Sequence, residues 1–135
     1  MNDETYKLRK AAMKYIYMAK DLLKKNGIDM PRISIRITDT TPENHQILGS
    51  ALMNKKYIWI PAKSIEGKYD LHEIVFHELL HAVYGVRHDE SDLLMGKYHK
   101  GSLGAAKVNK LFLKHALEAE RENGLAWAGL GKGVR

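Results

Sequence analysis

The residues best placed to do chemistry are His77-Glu78-Leu79-Leu80-His81, followed by Gly85, His88 and Met95. A helix brings residues four apart onto one face, so His77 and His81 can offer two imidazoles to one metal ion. Glu78 lies about 100° further round. It can reach a water at that metal without ligating it, the arrangement of metal-assisted hydrolysis. A third protein ligand would complete an open zinc site, leaving the fourth position for water. His88 is the best candidate, because Gly85 can turn the chain and His88 arrives three residues later. Asp89, His99, Glu118 and Glu120 remain alternative third ligands. His45, His72 and His115 read as exposed or hydrogen-bonded histidines.

The motif needs a helix to hold it. Asp70 and Glu73 form a capping box at its start, and Gly85 can end it in a left-handed conformation. Leu71, Val75, Leu79 and Ala82 share one side, widened by Phe76 and Val83, with His77, His81 and Tyr84 opposite. The apolar arc predicts a helix lying across the core, its histidine side on a cleft. Before it, residues 3–26 carry apolar positions at three- and four-residue spacing and predict an amphipathic helix. Acidic Asp3 and Glu4 favour its start, and Lys24, Lys25 and Asn26-Gly27 its end.

Pro31 opens a strand in which Ile33, Ile35 and Ile37 alternate with polar residues, so that one face is buried. A loop over 39–44 follows. His45 to Met53 reads as a second strand, weakened by Gly49, and Tyr57 to Ile60 as a third, closed by Pro61. Asn54-Lys55-Lys56 is a turn that makes these two strands a hairpin. Gly104 to Asn123 predicts a last helix, with Val108, Leu111, Phe112, His115 and Ala119 on its apolar stripe. The division expected is one domain over 1–123 and a Gly-rich tail over 124–135.

Composition bounds the reading. The chain has 135 residues, 44 % of them hydrophobic, and suits a single globular domain. It has no cysteine, so disulfides and thiolate-bound zinc are excluded and a metal must be held by His, Asp or Glu. The formal net charge is +6, but the cations are scattered over solvent faces and not interleaved with aromatics. That argues against a nucleic-acid role. No apolar run is long enough to span a membrane, and the acidic start Met1-Asn2-Asp3-Glu4 is not that of a signal peptide. The expectation is a cytoplasmic product, not membrane-associated and monomeric.

The segment from His77 to Met95 resembles the metzincin metallopeptidases, most closely the matrixin branch. Their pattern is His-Glu-x-x-His-x-x-Gly-x-x-His, followed by a methionine-containing turn. The chain has one more residue between His81 and Gly85 than that pattern and keeps the Gly-x-x-His spacing. The loop must therefore absorb about 100° of extra rotation for His88 to reach the metal. Upstream, Ile47-Leu48-Gly49-Ser50-Ala51 and Tyr57 to Ile60 resemble the family's edge strand and its hairpin partner.

The resemblance implies a zincin-like α+β fold with a small mixed or antiparallel sheet. An N-terminal helix, a central active-site helix and a C-terminal helix would surround it. It also implies zinc held by His77, His81 and His88, with Glu78 as general base of a metalloendopeptidase. A protein or peptide substrate would lie extended along the edge strand near Ile47–Met53. Met95 would form a hydrophobic base under the site, and Tyr98 could assist the oxyanion. Two alternatives stand beside this reading. One is a gluzincin-type or SprT-like zinc peptidase with a different third ligand. The other is a metal-stabilised binding protein without turnover, which would have no need of Glu78.

Overall fold

The computed structural model describes residues 3–38, 49–67, 69–96 and 103–130, with side chains as far as residue 122. Helix α1 (Asp3–Lys24) begins on its two acidic residues and ends on Lys24, as the helix dipole favours. It buries Ala12, Ile16, Ala19 and Leu23, a stripe of alternating small and large residues that lets neighbouring elements approach closely. Strands β1 (Ser34–Thr38), β2 (Ser50–Leu52) and β3 (Tyr57–Pro61) form one sheet in the order β1-β3-β2. β1 runs parallel to β3, with Ile35 opposite Ile58 and Ile37 opposite Ile60. β2 and β3 form the expected antiparallel hairpin, with Ala51 opposite Ile58. The sheet is therefore mixed.

Three boundaries differ from the sequence expectation. Within the described residues the second strand is only Ser50–Leu52, while the earlier part of its predicted span, 45–48, lies outside them. Pro61 is the last residue of β3 rather than the stop after it, a strand-end place that costs no interior ladder bond. It leads straight into a short helix, α2 (Ala62–Glu66), that the sequence reading did not foresee.

Helix α3 (Leu71–Tyr84) carries the motif. Asp70 caps it, its Oδ1 accepting from the Glu73 amide at 3.2 Å. Every residue from His72 to Ala82 is buried, so the helix lies deeper in the molecule than its apolar arc alone implied. It packs against α1, β2, β3 and helix α4 (Ala105–Leu130). His72 ties three helices together. It stacks on Tyr15 of α1 at 5.4 Å, meets Phe76 edge-on and hydrogen-bonds Asn109 of α4 at 2.9 Å.

The next contact between α3 and α4 pairs Phe76 with Phe112, ring centroids 4.5 Å apart. The two contacts advance together along both helices, so α3 and α4 run in the same direction. Val108, Phe112 and Ala116 give α4 its buried stripe. The helix continues to Leu130, beyond the expected end at Asn123 and into the tail. Single glycines at 124 and 129 lower helix propensity without breaking the backbone as proline would.

Candidate metal centre

His77 and His81 lie one turn apart on α3, and both are buried. Each imidazole is oriented by a backbone carbonyl. His77 Nδ1 meets the Leu94 carbonyl oxygen at 2.8 Å, and His81 Nδ1 meets that of Val86. A carbonyl only accepts, so each Nδ1 donates, and in the neutral imidazole Nε2 is then the acceptor that faces the cluster. These Nε2 atoms lie 3.0 Å apart, and His88 Nε2 lies 3.3 Å from that of His77. Two acceptor lone pairs at that distance repel, and a cation shared between them relieves the repulsion. Tetrahedral zinc, at about 2.0–2.1 Å from each nitrogen, separates its nitrogen ligands by about 3.3 Å. The three ligand atoms all lie within 4.8 Å of one another, His88 being the exposed member. The donor set therefore fits a metal ion, and the orienting carbonyls are the outer-shell partners that metal-bound histidines ordinarily have.

The extra residue after His81 is absorbed at Gly85, whose φ of 65° and ψ of 24° place it in the left-handed region. Its amide reaches the His81 carbonyl and the Val86 amide that of Leu80, which closes the helix end. The same turn brings the Val86 carbonyl under His81 and delivers His88 to the cluster. Glycine takes this φ without strain, and a Cβ would lie 2.5 Å from Asn54 Nδ2 and push that side chain aside. Asn54 belongs to the β2–β3 turn, where the Asn54 and Lys56 amides donate to the carbonyls of His81 and Ala82. The hairpin thus caps the motif helix and fixes β2 beside it.

Glu78 is buried, and desolvation pushes its carboxyl up to about 8. Directly against it lies Gly49. A Cβ there would be 3.0 Å from both Cγ and Oε2 of Glu78 and equally close to Ile74. The sequence reading saw Gly49 only as a weak point in a strand. An isolated glycine in a strand also signals close approach of another group, and that was the available clue.

The alternative third ligands are not brought to the cluster among the described residues. Asp89 Oδ1 is engaged by the Ser91 amide and hydroxyl at 2.9 and 2.6 Å, and these bonds hold its carboxyl below the usual range. Glu118 and Glu120 are exposed on α4. Glu120 is close enough to Tyr84 that, after burial, its charge helps push the phenol up to about 12. His45, Tyr98 and His99 lie outside the described residues, as do Ile47 and Leu48.

Met95 is fully buried and follows the residue whose carbonyl orients His77. The turn before it is shaped by Asp92, whose Oδ1 accepts from the Leu94 and Met95 amides, both at 2.9 Å. Its Oδ2 is 2.8 Å from Nε2 of His115 on α4. Burial works to raise the Asp92 carboxyl, but the bonds from Met95, His115 and Leu94 outweigh it and hold the group below its usual range. Asp92 was missed in the sequence, although an aspartate two residues before the amide it caps is a common turn signal.

In comparison with known proteins, no family model, no curated protein and no solved structure matches the chain. The functional reading therefore rests on the site.

Proposed function

We propose that the chain is a zinc-dependent metalloendopeptidase. The observation that carries this reading is the convergence of three imidazole Nε2 atoms, two of the rings oriented by backbone carbonyls, on a helix whose Glu78, the residue after His77, is buried. His77, His81 and His88 would hold the ion. Zinc so bound supplies Lewis acidity, acidifying a water and stabilising charge that develops on a scissile carbonyl. Glu78 takes the proton of the attacking water and passes it to the leaving amine as the carbon–nitrogen bond breaks. Burial raises its carboxyl in the metal-free chain, and a bound cation would draw it back to the carboxylate that accepts the proton.

A peptide, rather than a small ester or amide, is the fitting substrate. Among the described residues β2 pairs only with β3, so its other edge is free to take an extended strand. Gly49, the residue just before β2, is in contact with Glu78. A carboxylate-ligated zinc site would require Asp89, Glu118 or Glu120 to leave their present places, so His88 is favoured as third ligand.

The test is zinc content and cleavage of a quenched-peptide library by wild type, His88→Ala and Glu78→Gln. The expected result is one zinc per chain in wild type and in Glu78→Gln. His88→Ala should weaken zinc affinity at least about a hundredfold, and Glu78→Gln should lose cleavage at least about a hundredfold. Zinc retained without His88 would move the third ligand elsewhere. Zinc bound with no peptide cleaved would leave a metal-stabilised binding protein.

A further inference from the structure

We infer that His115 is a positioning residue for the metal ligand His77, acting from α4 through Asp92 and the Leu94 carbonyl. The inference rests on the metal-centre reading. Each link of the chain is a hydrogen bond. His115 Nε2 donates to Asp92 Oδ2 at 2.8 Å. The other carboxylate oxygen accepts the Leu94 and Met95 amides at 2.9 Å. Leu94 then turns its carbonyl to His77 Nδ1 at 2.8 Å. The carboxylate uses its two oxygens for two tasks. One folds the turn, and the other fixes the turn's place against the last helix.

Without the outer bond, the peptide plane of Leu94 would rest on local turn geometry alone. It would set neither the ring plane nor the tautomer of His77 as tightly. The pair is largely shielded from water, with side-chain exposures of 13 % and 9 %, so solvent cannot readily replace a lost partner. His81 is oriented separately, by Val86, while the same turn also holds the neighbour of His88, the Asp89 amide donating to the Met95 carbonyl at 2.9 Å.

Two variants separate a positioning role from a packing one. His115→Gln keeps a nitrogen donor near the Nε2 position without the ring. His115→Leu keeps the volume without the donor. The readouts are zinc affinity by chelator competition and, in metal-free protein, the tautomer of His77 by long-range proton–nitrogen NMR correlation. The expected result is wild-type zinc affinity and a pure Nδ1–H tautomer in His115→Gln. In His115→Leu, affinity should fall about tenfold, at the low end for outer-shell partners, and the tautomer should become mixed.

Should His115→Leu fail to fold, Asp92→Ser takes its place. A serine hydroxyl can still cap the turn but cannot reach His115, and the same losses are expected. Thermal stability lowered with zinc affinity and tautomer unchanged would overturn the inference and leave a packing role. The wild-type arm reports separately on the metal centre. If wild type takes up no zinc, the metal reading fails and the inference with it. If wild type binds zinc and all variants match it, only the inference fails.

Discussion

At Glu78 the functional demand and the folding demand oppose each other. Burial lifts its pKa to about 8 from 4.5, so between these values the folded chain holds a proton that the unfolded chain has released. The contribution of Glu78 to the stability of the metal-free protein therefore falls as pH rises from about 4.5 to 8 and levels off above. Glutamine has no proton to release, so Glu78→Gln escapes this loss. The expected outcome is that the variant's stability advantage over wild type in chelator grows from near zero at pH 5 to a few kcal/mol at pH 8, at about 1.4 kcal/mol per pKa unit. Urea unfolding at several pH values measures it. Parallel pH profiles would show that Glu78 is not buried as described. A bound cation favours the carboxylate, so zinc should shrink the difference. His77 and His81 show the same opposition resolved differently. Their buried rings are held by carbonyl partners on Nδ1, which turns both Nε2 atoms towards the cluster.

At the scale of elements, Gly49 just before β2 packs against Glu78 of α3, and on the proposed reading this contact would set the proton acceptor beside the substrate edge. Gly49→Ala puts a methyl 3.0 Å from Glu78 and Ile74, closer than side chains ordinarily pack. Glu78 is the member able to move, so the variant should keep its zinc and lose cleavage by at least about tenfold, as expected when a proton acceptor is misplaced. Unchanged cleavage would mean that β2 yields instead. The motif helix was legible in the sequence because its signals are local: Asp70 with Glu73, the apolar spacing and Gly85. The β2–β3 hairpin was legible from Asn54-Lys55-Lys56 between two apolar runs. What surrounds these elements was not. The partners of His77, His72 and His115 are 17, 37 and 23 residues away, and no local spacing encodes them. For that reason the depth at which α3 is buried was not legible. The parallel pairing of β1 with β3 was equally hidden, since alternation in β1 sets which face is buried and not which strand lies beside it.

For the molecule as a whole, the three histidines join parts of the chain that are otherwise held by modest interactions. His77 and His81 stand on the buried helix. His88 sits on the segment that leaves Gly85, and that segment is tied forward through Asp92 to α4. The chain has no cysteine, so nothing covalent reinforces this closure, and a metal ion would act as its clamp. A ligand that binds only the folded state, at a thousandfold above its Kd, adds about 4 kcal/mol. In a domain of this size 1 kcal/mol moves Tm by about 3–5 °C. Chelation should therefore lower the Tm of zinc-loaded protein by about 10–20 °C. Glu78→Gln should show the same drop, since it keeps all three ligands. His81→Ala should start from the lower temperature and show almost none. Calorimetry with and without chelator decides it. A Tm indifferent to chelator in protein proven to carry zinc would mean that the folded and unfolded chains bind the ion alike. The histidines would then not be the preorganised site that their fixed tautomers describe.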